Sequence, residues 1–184
     1  MKILWAIVDG GGNVPPQIAV ARALRDRGFD IHFIGHTGVR ERVETAGFSF
    51  ETFSTGRAFD ATTPQSLPSI MAMFTREVTD RSLGPQVLAA AWRQSADAIV
   101  IDALLVSVMA DVVKSGTPMV VFVHCFYRAV QDMTAGPMGW YARLRGMDPR
   151  IAERVNALQI VAARADLDPM RGTPPVVHTG VVWQ

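Results

Sequence analysis

The chain has little cysteine: Cys125 is the only one in 184 residues. With no intramolecular partner it excludes a disulfide framework, and a reducing cytoplasm is the simplest compartment to expect. Charge of one sign is lacking as well. Lys and Arg total 18 and Asp and Glu 17, a net charge of +1, so nothing calls for nucleic acid or another acidic polymer as a partner. The apolar runs are short. "KILWAIV" is too short to span a bilayer and lacks a small-residue cleavage site, and Asp111 interrupts "ALLVSVMADVV", so neither a transmembrane nor a targeting segment is expected. No pair of His or Cys has metal-ligand spacing, and no metal is expected. Internal repeats and low-complexity tracts are absent. What is present, 49% apolar and 19% charged residues, is the composition of one globular domain with a substantial core. A chain of this size buries roughly 70% of the surface that its unfolded form exposes.

Short β-rich runs alternate with longer helical patterns. "ILWAIV" (Ile3 to Val8) predicts a strand buried on both faces. Pro15 and Pro16 suit the first turn of a helix, which needs no backbone donors, and Gly28 ends that helix. "IHFIG" and "FSFETF" predict the second and third strands, with the charged helix "VRERVETAG" between them. "DAIVI" and "TPMVVFV" predict the fourth and fifth, separated by a helix from Leu104 to Lys114, and "LQIVAA" a sixth. Ser54 to Ser69 forms a long polar connection, and a helical stretch follows from Ile70 to Arg93, with a break near Gly84-Pro85. Strand–helix alternation of this kind predicts an α/β, Rossmann-like parallel sheet of six or seven strands with helices on both faces. Ligands bind such sheets at the C-terminal ends of the strands. The loops there carry Asn13, His36, Asp102 and His124.

The first of these loops, "DGGGNVPP", is not a dinucleotide fingerprint. Gly10 and Gly12 fit G-x-G-x-x-G/A, but Pro15 holds the third place and the second strand ends "IGHTG" without the acidic residue that binds a ribose. The phosphate loop G-x-x-x-x-G-K-[ST] is absent altogether. A tight turn alone would use one or two glycines. Three in a row point to a ligand that approaches the backbone closely.

Three stretches together resemble a known family. "GGGNVPPQIAVARALRDRGFDIHFIG" is similar to the opening of the GT-B glycosyltransferases, which move sugars from UDP or dTDP onto small lipophilic acceptors. The match runs through Gly12, Asn13, Val14 and Pro16 into "AVARALRDRGFDIHF". "ADAIVIDALLVSVMADVVKSGTPMVVFVHCFY" resembles the middle of that family's N-terminal domain, and "LDPMRGTPPVVHTGVVWQ" the segment leading out of it. The resemblance covers nearly the whole chain. It implies a single acceptor-binding domain over residues 1–184, with the C-terminal donor-binding domain absent from this chain and no cofactor of its own. It also implies a function in natural-product biosynthesis: the acceptor-recognising half of a hexosyltransferase-type enzyme, inactive in isolation. The nucleotide sugar would bind only with a second domain.

By resemblance, Asn13 stands where the family carries its catalytic base, usually His. Asp102 matches the carboxylate that orients and charges that base. Asn13 has no titrating proton, so three readings stay open. Another group takes the proton, Asp102 before Asp9; the acceptor is acidic enough to need little help; or the domain is a catalytically silent binding or accessory module. Asp102 reads equally well as a helix N-cap opening "DALLVSV". Gly11 and Gly12 are expected to bind substrate, with His124 beside them. Met71 and Phe74 of "SIMAMFTREV" and Trp140 of "GPMGWYARLRGM" are expected to line a malleable apolar acceptor pocket, in which Met138, Tyr141 and Met147 also fit. Cys125 is expected to be inert, and His32 and His36 structural or solvated.

Overall fold

A computed structural model describes residues 1–56, Ser66, Ser69, Ala72, Thr75, Arg76 and 78–182. The described strands form one seven-stranded sheet in the order β3-β2-β1-β4-β5-β6-β7, with every neighbouring pair parallel. The strands are β1 (Lys2–Ile7), β2 (Asp30–Gly35), β3 (Ser49–Thr52), β4 (Ala98–Asp102), β5 (Met119–Val123), β6 (Leu158–Val161) and β7 (Val176–His178). The chain leaves β1 outward to β2 and β3, then returns to the other side of β1 to lay down β4. The sequential order therefore reverses between β1 and β4, and the crevice outside their C-terminal ends is where ligands bind in such sheets.

β1 shows why the sheet is covered on both faces. Successive side chains point to opposite sides of a strand. Ile3, Trp5 and Ile7 enter one core with Val14, Ile18 and Ala21 of α1 (Val14–Arg25) and Val39 and Val43 of α2 (Thr37–Thr45). Leu4, Ala6 and Val8 enter the other, with Leu83, Val87 and Ala90 of α3 (Leu83–Gln94) and Val108 and Val112 of α4 (Val106–Ser115). Trp5 is fully buried between Phe33 and Phe122, its ring centroid 5.5 and 5.7 Å from theirs. Helices α5 (Tyr127–Ala135), α6 (Pro137–Leu144) and α7 (Ile151–Arg154) lie between β5 and β6.

Two expectations change. The helical stretch before β4 breaks at Thr79–Ser82, where Asp80 accepts a hydrogen bond from the Ser82 N–H (2.8 Å). Gly84-Pro85 lies inside the first turn of α3, where a proline has no hydrogen bond to lose. The helix after β4 starts at Val106 with Leu105 at its cap position, so Asp102 is not its N-cap; it is the last residue of β4. No described helix is long and apolar enough to cross a membrane.

Candidate functional site

The glycine turn folds around the side chain of Asn13. Gly11 has φ +80°, a left-handed conformation that suits glycine. Asp9 Oδ1 accepts from the Gly11 N–H (3.1 Å), and Asp9 Oδ2 accepts from Arg42 (2.5 Å), which ties the turn to α2. Asn13 Oδ1 accepts from the Gly10 N–H (2.8 Å). Its Nδ2 donates to the Val8 carbonyl (2.9 Å) and to Asp102 Oδ2 (2.6 Å). A Cβ on Gly10 would stand 3.2 Å from both Asn13 Oδ1 and Leu104 Cδ1, so the bare glycine is what admits the Asn13 carboxamide. Gly12, by contrast, borders open space.

Asn13 thereby connects β1 to β4 across the switch point. It is 1% exposed and Asp102 0%. Gln17, one helical turn after Asn13, completes the cluster. Its Nε2 donates to Asp102 Oδ2 (2.5 Å) and the Asn13 carbonyl (3.1 Å), and its Oε1 accepts from the Trp5 indole (2.8 Å). Asp102 Oδ1 accepts from the Leu104 N–H (2.9 Å). Burial pushes the Asp102 carboxyl above its usual range; His124 and the hydrogen bonds from Leu104, Asn13 and Gln17 oppose that rise without cancelling it. Sequence patterning did not single out Gln17. The signal was the Asn13-to-Gln17 spacing, which puts two carboxamides on one helix face.

His124 is half-buried just past β5, and its Nδ1 is sealed without a hydrogen-bond partner. Burial, then Asp102 and Asp168, raise the Cys125 thiol to about 11, so it stays protonated near neutral pH. His36 is 5% exposed, with its ring edge-on to Phe53. Burial lowers its pKa, against the opposing pull of Asp80.

An apolar cleft opens beside the cluster, lined among others by Val78, Leu104, Met133, Met138 and Tyr141. Leu104 belongs to both places, since it also touches the space over Gly10. Trp140 does not line the cleft and is 61% exposed. Met138 and Tyr141 are three residues apart and share a face of α6, and Trp140 falls between them on another. Met147 is buried beneath, with Val106 and Ala142. Met71 and Phe74 lie outside the described residues. Among the described residues no group of three or more His, Cys, Asp or Glu could hold a metal ion.

A second sealed carboxylate went unnoticed in the sequence. Asp168 accepts from the Tyr127 N–H (2.7 Å) and the Arg128 N–H (3.0 Å) at the start of α5, and pairs with His178 Nε2 (3.0 Å) from β7.

The model of the glycosyltransferase family 28 N-terminal domain matches residues 3–121, the stretch that holds the glycine turn, Asn13, Gln17 and Asp102. The chain belongs to this family. No curated protein sequence matches it. Among solved structures, the domain is similar to Arabidopsis thaliana UGT89C1 (13% identity, TM-score 0.73, covering 100% of this chain and 50% of that one). It is similar to CalG4, the calicheamicin glycosyltransferase (16% identity, TM-score 0.68, covering 97% and 52%). It is also similar to SsfS6, a glycosyltransferase of Streptomyces sp. SF2575 (16% identity, TM-score 0.61, covering 97% and 53%). At these identities the likeness establishes the fold, that of the N-terminal domain of GT-B glycosyltransferases. The chain spans about half the length of each of these structures.

Proposed function

We propose that this glycosyltransferase N-terminal domain recognises the acceptor: a small lipophilic molecule lies in the apolar cleft and presents its hydroxyl at the switch point, where a nucleotide sugar held by a second domain meets it. One observation carries this reading. The cleft and the glycine turn share Leu104, which sets the apolar lining of Met138 and Tyr141 next to the turn. The likeness to the calicheamicin glycosyltransferase fits an acceptor of natural-product type.

Amide chemical-shift mapping with a panel of phenolic and polyketide-like ligands tests the proposal. Shifts should gather at Gly10 to Gly12, Leu104, Met138 and Tyr141; shifts confined to the N-terminal edge of the sheet would overturn it. The purified 184-residue chain should transfer no sugar by itself, and turnover would refute the assignment of the donor to a second domain.

A second reading has its own support. Asn13, at the position of the family's base, lacks a titrating proton and spends its side-chain N–H groups on Val8 and Asp102. That arrangement suits a module that binds without catalysing. The two readings share the cleft and differ only in what becomes of the acceptor's proton.

A further inference from the structure

Around Asp102 every donor and acceptor described above is engaged except one, the sealed Nδ1 of His124. Unpaired buried polar atoms are uncommon in native structures and call for a reason. The register supplies one. Asp102 pairs with Phe122 across β4 and β5, and paired residues send their side chains to the same face. His124 follows directly on the end of β5, two residues beyond Phe122. The two are close enough for His124 to oppose the burial-driven rise of the Asp102 carboxyl. No hydrogen bond joins the two; the carboxylate takes its hydrogen bonds from Asn13, Gln17 and Leu104.

We propose that His124 is the group that takes the acceptor's proton in this domain, with Asp102 as its buried counter-charge. The base has moved from the β1 loop to the β5 loop, while Asn13 keeps the structural tie to Asp102. This inference rests on the acceptor-binding function proposed above. With the hydrogen on the inward Nδ1, Nε2 carries the lone pair. The acceptor O–H bond breaks and its proton goes to Nε2. The freed electron pair forms the bond to the anomeric carbon of the nucleotide sugar, and the bond from that carbon to the diphosphate breaks, its pair leaving on the phosphate oxygen. The imidazolium then returns its proton to solvent. The other titratable groups at this corner are Cys125, held neutral with its pKa near 11, and Asp168, whose carboxylate is engaged by Tyr127, Arg128 and His178.

The probe is 4-nitrophenol, whose phenolate is read by its visible absorbance, titrated onto the 184-residue chain at a pH where the free probe is mostly protonated. The ratio of phenolate to phenol in the bound probe should be about tenfold higher on the wild type than on His124→Gln, the change that one pKa unit represents. Asp102→Asn should give an intermediate ratio. Equal ionisation on wild type and His124→Gln would overturn the proposal; His124→Asn repeats the measurement if the first variant does not fold. Failure of the probe to bind at all would count against the acceptor site. The pair is then judged by the NMR chemical shifts of the His124 ring, which should change in Asp102→Asn. Unchanged ring shifts would overturn the proposal.

Discussion

Asp102 and Asp168 are both sealed carboxylates, each with three hydrogen-bond donors and a histidine nearby, yet their affinities for a proton are displaced in opposite directions. Burial raises both. At Asp168 the N–H groups of Arg128 and Tyr127 and the His178 ring more than offset burial, and the carboxyl falls below its ordinary range. At Asp102 burial prevails and the carboxyl rises. The donors differ in kind. Asp168 sits against the exposed N–H groups of a helix start, where the peptide dipoles also favour an anion, and it pairs directly with His178. Asp102 has one backbone N–H and two side-chain carboxamides, and its histidine is held off without a hydrogen bond. One arrangement fixes a charge for the sake of the fold. The other keeps a carboxylate whose ionisation is sensitive to what lies beside it, as perturbed groups in binding sites often are.

The largest effect expected from breaking this contrast is at Asp168. Asp168→Ala strips two helix N–H groups and His178 of their hydrogen-bond partner at a fully buried position, and should cost about 3 kcal/mol, the upper end of the scale for leaving buried donors unsatisfied. Urea denaturation measures it; a loss within about 0.5 kcal/mol, as for an ordinary surface change, would mean that the end of the sheet at β7 is held by other contacts. Asp102→Asn keeps an acceptor for Leu104 but turns an NH2 group toward the donors of Asn13 and Gln17, and it should cost less than Asp168→Ala because it opens no cavity.

The pH dependence sharpens the same comparison. A lowered folded pKa means that Asp168 contributes stability above its unfolded value near 3.8 and loses it as pH falls through the lower folded value. A raised folded pKa has the opposite sign. Ionising Asp102 costs stability as pH rises from 3.8 through its higher folded value, and the penalty is complete above that. The stability gap between wild type and Asp168→Asn should therefore shrink in acid. Relative to wild type, Asp102→Asn should gain stability as pH rises through the Asp102 window. Parallel curves for the two variants would refute the assignment of opposite shifts.

Strand and helix order were legible in the sequence because the apolar runs are continuous in the strands and periodic in the helices. β7 was not among the strands named: it has three residues, Val176–His178, after Pro174 and Pro175, too few to show a period. Asp102 was found through its place at the end of "AIVID"; of its two open readings the helix cap fell, since the helix starts at Val106, and local spacing could not reveal Asn13 and Gln17 arriving from 89 and 85 residues away. Asp168 was missed for the same reason, its partners at Tyr127 and Arg128 lying 41 and 40 positions back. Trp140 was placed in the pocket on composition alone, and helix geometry turns it outward.

The smallest effects separate the glycines of the turn. Gly11 is held at φ +80°, so Gly11→Ala should cost roughly 1–2 kcal/mol through the left-handed backbone. Gly12 lacks that conformation, and a Cβ there would meet nothing within 4 Å. Gly12→Ala should therefore leave stability unchanged or raise it by about 0.4–1 kcal/mol, because alanine narrows the unfolded ensemble without straining the fold. The methyl group would project into the space proposed for the acceptor's hydroxyl end. Binding of 4-nitrophenol should weaken in Gly12→Ala even as the thermal midpoint holds or rises, whereas Gly11→Ala should lower the midpoint. If Gly12→Ala gains stability and binds the phenol as well as wild type, no ligand approaches the turn, and the third glycine is explained by neither the fold nor the acceptor.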